Sequence, residues 1–159
     1  MMRVGIGYDI HRLVPDRPLI LGGVVVPNDK GLQAHSDGDV VCHAICDALL
    51  GAAGLPNIGV LFPDTDPRYK DCNSLELLGA VRAQLAEAGY APTQLDTNVI
   101  AETPKLQPYV AGMRQNIADC LRISADCVSI KPRTNEQVGP EGHEEAISAQ
   151  VVALITQSR

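Results

Sequence analysis

Tryptophan is absent from this chain and phenylalanine occurs once, at Phe62. Any core in the 159 residues must therefore be aliphatic, assembled from Val, Leu, Ile and Ala. No apolar run approaches the roughly 18 residues needed to cross a bilayer, and no signal peptide precedes the first apolar segment. There is no CxxC pair among the five cysteines (42, 46, 72, 120 and 127), and their odd number argues against a disulfide framework. Small buried thiols in a reduced, cytoplasmic protein are the expectation. Basic stripes are missing too. The formal net charge of −6 excludes a general nucleic-acid surface, yet permits a phosphorylated ligand held by a metal and a few local cations. A Gly5-Ile6-Gly7 pair invites a dinucleotide fold, but Ile10 stands where the third glycine belongs and no helix follows.

What is present is concentrated. Three of the four histidines (11, 35, 43 and 143) fall in or beside two segments, Asp9-Ile10-His11 and His35 to His43. Asp9 and His11 project from the same face of a strand, because side chains there alternate with a period of two. With His43 they make two imidazoles and a carboxylate, a donor set for a catalytic zinc that leaves one tetrahedral position open. His43 with Cys42 and Cys46 is a competing set; Cys46 lies on the His43 side at i+3, whereas Cys42 points elsewhere.

The chain reads as one domain, residues 1–159, of the α+β class: a two-layer fold with helices on one face of a mixed sheet. Arg3 to His11 is a strand, and Pro18 to Leu21, Gly22-Gly23 and Val24 to Val26 form strand, turn and strand. A helix capped by Ser36 or Asp37 is expected to run to about Ala53, with Val40, Val41, Ala44, Ile45, Ala48, Leu49 and Ala52 inward. Asp39, His43 and Asp47 occupy another face, and Asp47 either orients the imidazole or is a solvated acid. Leu55 to Asp71 is a loop, and Ser74 to Ala88 is a helix stopped by Gly89. Leu95 to Glu102 is a strand, Pro108 opens a helix, and Cys127 to Pro132 is a strand. A closing helix buries Ile147, Val151, Leu154 and Ile155. The uncovered sheet face would be solvated or covered by another copy of the chain.

Further chemistry is spread along the chain. His35-Ser36 stands at the expected helix start, where free N–H groups favour phosphate oxygens. Glu136 offers a carboxylate to a harder cation, and Arg133 and Thr134 offer a charge and a hydroxyl to phosphate.

Several runs, in this order, resemble the 2-C-methyl-D-erythritol 2,4-cyclodiphosphate synthases of the non-mevalonate isoprenoid pathway. They are Gly5 to His11, His35 to Asp39, Asp47 to Ala53 and Leu61 to Asp66, and the likeness covers essentially the whole chain. The resemblance implies a homotrimer with active sites between subunits, and no membrane or nucleic-acid partner. It implies Zn²⁺ on Asp9, His11 and His43, and Mg²⁺ or Mn²⁺ on Glu136. The substrate would be 4-diphosphocytidyl-2-C-methyl-D-erythritol 2-phosphate and the by-product CMP.

By the same resemblance His35 and Thr134 would stabilise the transition state. Ser36, Asn57, Ile58, Gly59 and the run Phe62, Pro63, Asp64, Thr65 and Asp66 would hold the methylerythritol phosphate, beside Asp9 and His11. Ala101, Pro104, Lys105, Leu106, Gln107 and Arg133 would form a cytidine diphosphate pocket on the next subunit, with Thr134 and Glu136 near the phosphates.

Three departures from the family pattern stand out. Asn57 replaces the usual Asp, and Arg133 stands where Thr is common. His143 occupies the place of an Arg that, in relatives, helps line an isoprenoid diphosphate site on the trimer axis. His143 stays among the candidate binding residues, but that axial site is not carried over. Two other functions compete with the synthase: a trimeric metal- and nucleotide-binding module that has lost catalysis, and a zinc phosphoesterase using metal-bound hydroxide.

Overall fold

A long first strand sets the frame of the molecule. In the computed structural model, which describes residues 1–158, β1 runs Met2–Pro15, and β2 (Leu19–Leu21) and β3 (Val24–Val26) form a small hairpin. There follow β4 (Lys30–Leu32), helix α1 (Val40–Ala53), the turn-length α2 (Ile58–Leu61), α3 (Ser74–Glu87) and β5 (Tyr90–Ile100). Helix α4 (Val110–Leu121), β6 (Val128–Arg133), the short α5 (Gly139–Gly142) and β7 (Ala146–Gln157) complete the chain. The main sheet has the order β4-β1-β7-β5-β6; only β5 and β6 are parallel. Helix α1 lies on β1 and β7, α3 packs against α1 and β5, and α4 packs against α3 and β6. The expected α+β class with a mixed sheet stands.

The closing segment does not form the expected helix. It is β7, a central strand paired with β1 on one side and β5 on the other. Ile147, Val151 and Ile155 recur every four residues, which suits a helical stripe but also one face of a strand. Ala149 and Ala153 complete that buried face, while Leu154, expected inward, lies on the other side and is only half-buried. The β-branched content of Ile147, Val151, Val152, Ile155 and Thr156 favours the extended form.

Two boundaries also move. Strand β5 begins at Tyr90 rather than Leu95, because a register shift between Pro92 and Gln94 absorbs the proline. Helix α1 begins at Val40, capped by Asp39 rather than Ser36 or Asp37. The Asp39 carboxylate accepts from Cys42 N–H at 3.1 Å and from Gly22 and Gly23 N–H at 2.9 and 2.7 Å. One buried side chain thus closes the helix and ties it to the β2–β3 turn. Burial pushes its carboxyl up, against the pull of those three donors.

The layer contact that positions everything else is between β1 and α1. A Cβ added at Gly7 would lie 1.9 Å from the Ala44 carbonyl oxygen, and one at Gly5 would lie 2.0 Å from that of Ala48. The strand has room for the helix backbone only because these two side chains are missing. Next along the same face come Asp9 and His11, and His43 precedes Ala44 on the helix. On the opposite face Val4, Ile6, Tyr8, Ile10 and Val152 are exposed.

Gly7→Ala is expected to cost about 3 kcal/mol or more, since the atom meets backbone rather than a movable side chain. Gly51→Ala, in the exposed turn of α1 with nothing within 4 Å of its added Cβ, is expected to stabilise by about 0.5–1 kcal/mol. Urea unfolding of the two variants checks both; a neutral Gly7→Ala would contradict the close approach.

Candidate metal centre and adjoining cleft

Strand β1 and helix α1 bring Asp9, His11 and His43 to one point. Asp9 Oδ2 lies 2.8 Å from His11 Nε2 and 3.1 Å from His43 Nδ1, and the two nitrogens are 3.1 Å apart. The other carboxylate oxygen accepts from Ile10 N–H at 2.9 Å, which orients the group. Tetrahedral coordination with bonds near 2.1 Å separates ligand atoms by about 3.4 Å, so a small expansion admits a divalent ion. The donor chemistry fits as well: two imidazole nitrogens and a carboxylate oxygen. Among the described residues this is the one group of three or more such side chains able to hold a metal ion. The competing cysteine set is set aside by that geometry. Cys42 donates its S–H to Asp39 at 3.3 Å, and burial pushes both Cys42 and Cys46 thiols far up.

Asp9 and His43 each shift the other's titration. Burial alone would raise the Asp9 carboxyl, but hydrogen bonds and charge from His11 and His43 outweigh it and hold the group at about 2. Burial pulls His43 down, and the Asp9 carboxylate more than reverses this, so its pKa is raised.

The far nitrogen of His43 is held by hydroxyls. Its Nε2 is 2.9 Å from Ser74 Oγ and 3.1 Å from Ser36 Oγ. Asp47, the carboxylate in sequence register to orient the ring, instead accepts from Ile58 N–H at 2.8 Å and ties α1 to α2.

A cleft of about 490 Å³ opens beside the triad, lined also by His35, Ser36, Asp47, Ile58, Gly59, Phe62 and Asp64. His35 Nε2 donates to the Asp66 carbonyl at 3.0 Å, which fixes the ring. Ser36 is not at a helix start: the Asp39 carboxylate already fills the α1 N-terminus, where a phosphate would otherwise sit. Its hydroxyl points to His43 and accepts from Gly38 N–H at 3.3 Å. Ala34, Tyr69 and Leu77 line the cleft too and carry no sequence signal. Tyr69 arrives through a single helical turn, Pro67–Tyr69, within the segment read as loop, and stacks edge-on against Phe62.

Other candidate residues have local duties or lie elsewhere. Asn57 caps α2 by accepting from Val60 N–H at 3.1 Å, a role Asn fills as well as Asp. The Asp66 carboxylate is taken up by Arg68, whose hydrogen bonds and charge hold it below the usual range. Pro63 and Thr65 belong to the same turn and do not line the cleft.

The second group gathers at the C-terminal ends of β5 and β6, where Ala101 N–H donates to Arg133 O at 2.9 Å. Thr134 Oγ1 donates to Glu136 Oε1 at 3.2 Å, and Glu136 adopts a positive φ of 52°. Lys105, Gln107, Arg133 and Glu136 are exposed, and Pro104 and Thr134 half-buried. Ala101 and Leu106 are packed in the core, so a ligand would meet their backbone. None of these residues, nor the exposed His143, lines the triad's cleft.

This geometry coincides with a strong likeness to known proteins. The YgbB family model matches residues 2–156. The 2-C-methyl-D-erythritol 2,4-cyclodiphosphate synthase of Symbiobacterium thermophilum is 56% identical over 154 residues, covering 97% of this chain and 98% of its own. Among solved structures, the bifunctional IspDF of Campylobacter jejuni superposes with a TM-score of 0.95 at 38% identity, over 99% of this chain and 42% of that one. IspF of Plasmodium falciparum, in complex with CDP, superposes with a TM-score of 0.87 at 34% identity, over 99% of this chain and 97% of that one. The chain belongs to the YgbB family.

Proposed function

We propose that this chain converts 4-diphosphocytidyl-2-C-methyl-D-erythritol 2-phosphate to 2-C-methyl-D-erythritol 2,4-cyclodiphosphate and CMP, a phosphorus–oxygen lyase step toward isoprenoid precursors. The observation that carries this is the Asp9–His11–His43 triad at the wall of a cleft, in a chain 56% identical to a synthase of that name. An oxygen of the 2-phosphate attacks the β-phosphorus. The bond from that phosphorus to the oxygen bridging the α-phosphate breaks, and CMP departs with the oxygen. Both reacting groups sit on one molecule, so the protein must fold the substrate into an in-line pose and neutralise charge, with no nucleophile of its own.

Asp9, His11 and His43 would hold Zn²⁺, and Glu136 would hold Mg²⁺ or Mn²⁺. Bound there, the two cations would supply charge neutralisation and polarisation of the diphosphate. The chain's own side chains do the positioning. His35 and Ser36 would meet the phosphate end, the walls of Ile58, Gly59, Phe62 and Asp64 would enclose the methylerythritol, and Thr134 would face the transferring phosphoryl group.

One chain provides two separate half-sites: the cleft, and the cytidine-side group at the ends of β5 and β6. A homotrimer that sets the cleft of one copy against that group of the next completes the site. The exposed apolar face of Val4, Ile6, Tyr8 and Ile10 supports such an assembly. The five free cysteines fit a reducing, cytoplasmic setting. An intact donor set disfavours the catalytically impaired module.

Incubating the protein with the 2-phosphate substrate, Zn²⁺ and Mg²⁺ tests the reading by product. CMP with the cyclic diphosphate is expected; CMP with an open-chain product would mean hydrolysis, and no turnover would leave a binding module. His43→Ala should lose several kcal/mol of transition-state stabilisation, about 1,000-fold in rate. Full activity in that variant would remove the triad from the chemistry.

The pKa directions give a second test on metal-free protein. Asp9 is depressed from 3.8 to about 2, so its contribution to stability is complete above 3.8 and lost as pH falls through about 2. His43 is raised from 6.5, so its contribution is complete below 6.5 and lost as pH rises through the higher folded value. Chelated protein should therefore melt highest between those limits, and added Zn²⁺ should stabilise it more at pH 8 than at pH 6, where protons compete for His43. Equal metal stabilisation at both values would contradict the assignment.

A further inference from the structure

Ser74 is the first residue of α3 and is fully buried, an unusual place for a hydroxyl. Its Oγ has two polar neighbours. It donates to Asp37 Oδ1 and lies 2.9 Å from His43 Nε2. The other oxygen of Asp37 accepts from Ser74 N–H at 3.0 Å, so the carboxylate grips the residue at two points. Asp37 itself is fixed by accepting from Asp39 N–H at 3.1 Å.

The direction of these bonds is settled by valence. A carboxylate only accepts, so the single proton of the Ser74 hydroxyl is committed to Asp37. Ser74 Oγ can then only accept from His43. Were Nε2 unprotonated, two lone pairs would face each other across 2.9 Å in a buried space. Nε2 therefore keeps its proton, and Nδ1, which faces the acceptor-only Asp9 carboxylate at 3.1 Å, is the nitrogen that gives up its proton to a cation. Nδ1 is the nitrogen that faces Asp9 Oδ2 and His11 Nε2.

We propose that Ser74 and Asp37 are positioning residues that fix His43 in the Nε2–H tautomer and aim its Nδ1 lone pair at the metal. This rests on the metal reading of the Asp9–His11–His43 site. Metal-binding histidines commonly donate their second N–H to a carboxylate, which fixes the ring and raises its basicity. Here a serine is interposed, and the carboxylate acts through it. Ser36, 3.1 Å from the same Nε2, has no carboxylate directing its proton and can adapt to either ring state.

Three variants and two readouts test the relay. Ser74→Ala should weaken Zn²⁺ by about 10–100-fold, measured by competition with a chromophoric chelator, while Ser74→Thr, which keeps the hydroxyl, should return it to near the native value. Asp37→Asn supplies an amide able to donate to Ser74, freeing the serine proton to point at Nε2 and favouring the wrong tautomer. The ring proton is read directly from ¹⁵N–¹H correlations of His43 in the zinc-loaded protein. Native protein should show Nε2–H, and Asp37→Asn should bind Zn²⁺ about 10–100-fold more weakly.

Native affinity in Ser74→Ala, or Nδ1–H in the native protein, overturns the relay. Equal loss of affinity in Ser74→Ala and Ser74→Thr would do the same, because it would reflect packing alone. Native protein that binds no divalent ion defeats the metal reading, and with it the relay's stated purpose.

Discussion

The contact between Gly5 and Gly7 of β1 and the backbone of α1 at Ala44 and Ala48 is the constraint from which the site follows. Helix and strand approach until no Cβ fits between them. At that separation, the residue beside Ala44 comes within hydrogen-bonding distance of side chains two and four positions beyond Gly7. A donor triangle with edges of 2.8 to 3.1 Å tolerates little slack. A wider gap of the kind larger side chains impose would leave His43 short of Asp9 and His11. The Asp39 cap locks the other variable, the axial position of α1, by binding the helix start to the β2–β3 turn. Ser74, the first residue of α3 and gripped by Asp37, lies against the far nitrogen of that ring.

Much of this was legible in the residues, for identifiable reasons. Asp9 and His11 share a face because strands alternate, and His43 could be placed on the polar side of α1 from helical spacing. Gly5 and Gly7 were visible within the first strand, although their partner across the layer was not. Contacts across layers leave no periodic trace. For the same reason Ser74 read only as a helix start and Asp37 only as a possible cap, when their importance lies in meeting each other and His43. Asp47, the carboxylate that helical spacing did suggest, turned out to serve Ile58.

The misread closing segment has a different cause. A four-residue recurrence of Ile147, Val151 and Ile155 satisfies both a helix and one strand face, and only the pairing of β7 between β1 and β5 decides. Burial on much of its other side, at Ser148 and partly at Leu154, hid the alternation that would have marked a strand. Central strands lose their simplest signature in this way. The residues proposed for the cytidine side likewise lie apart from the cleft on one chain; a sequence shows which residues are chemically apt, not how far apart they fold.

The proposed metal ion would be held by residues that two glycines bring together. Anomalous diffraction from crystals of the zinc-loaded protein, recorded on both sides of the zinc absorption edge, tests it most directly. One peak per chain is predicted, bonded to Asp9 Oδ2, His11 Nε2 and His43 Nδ1. A peak elsewhere, or bonding through His43 Nε2, would contradict it.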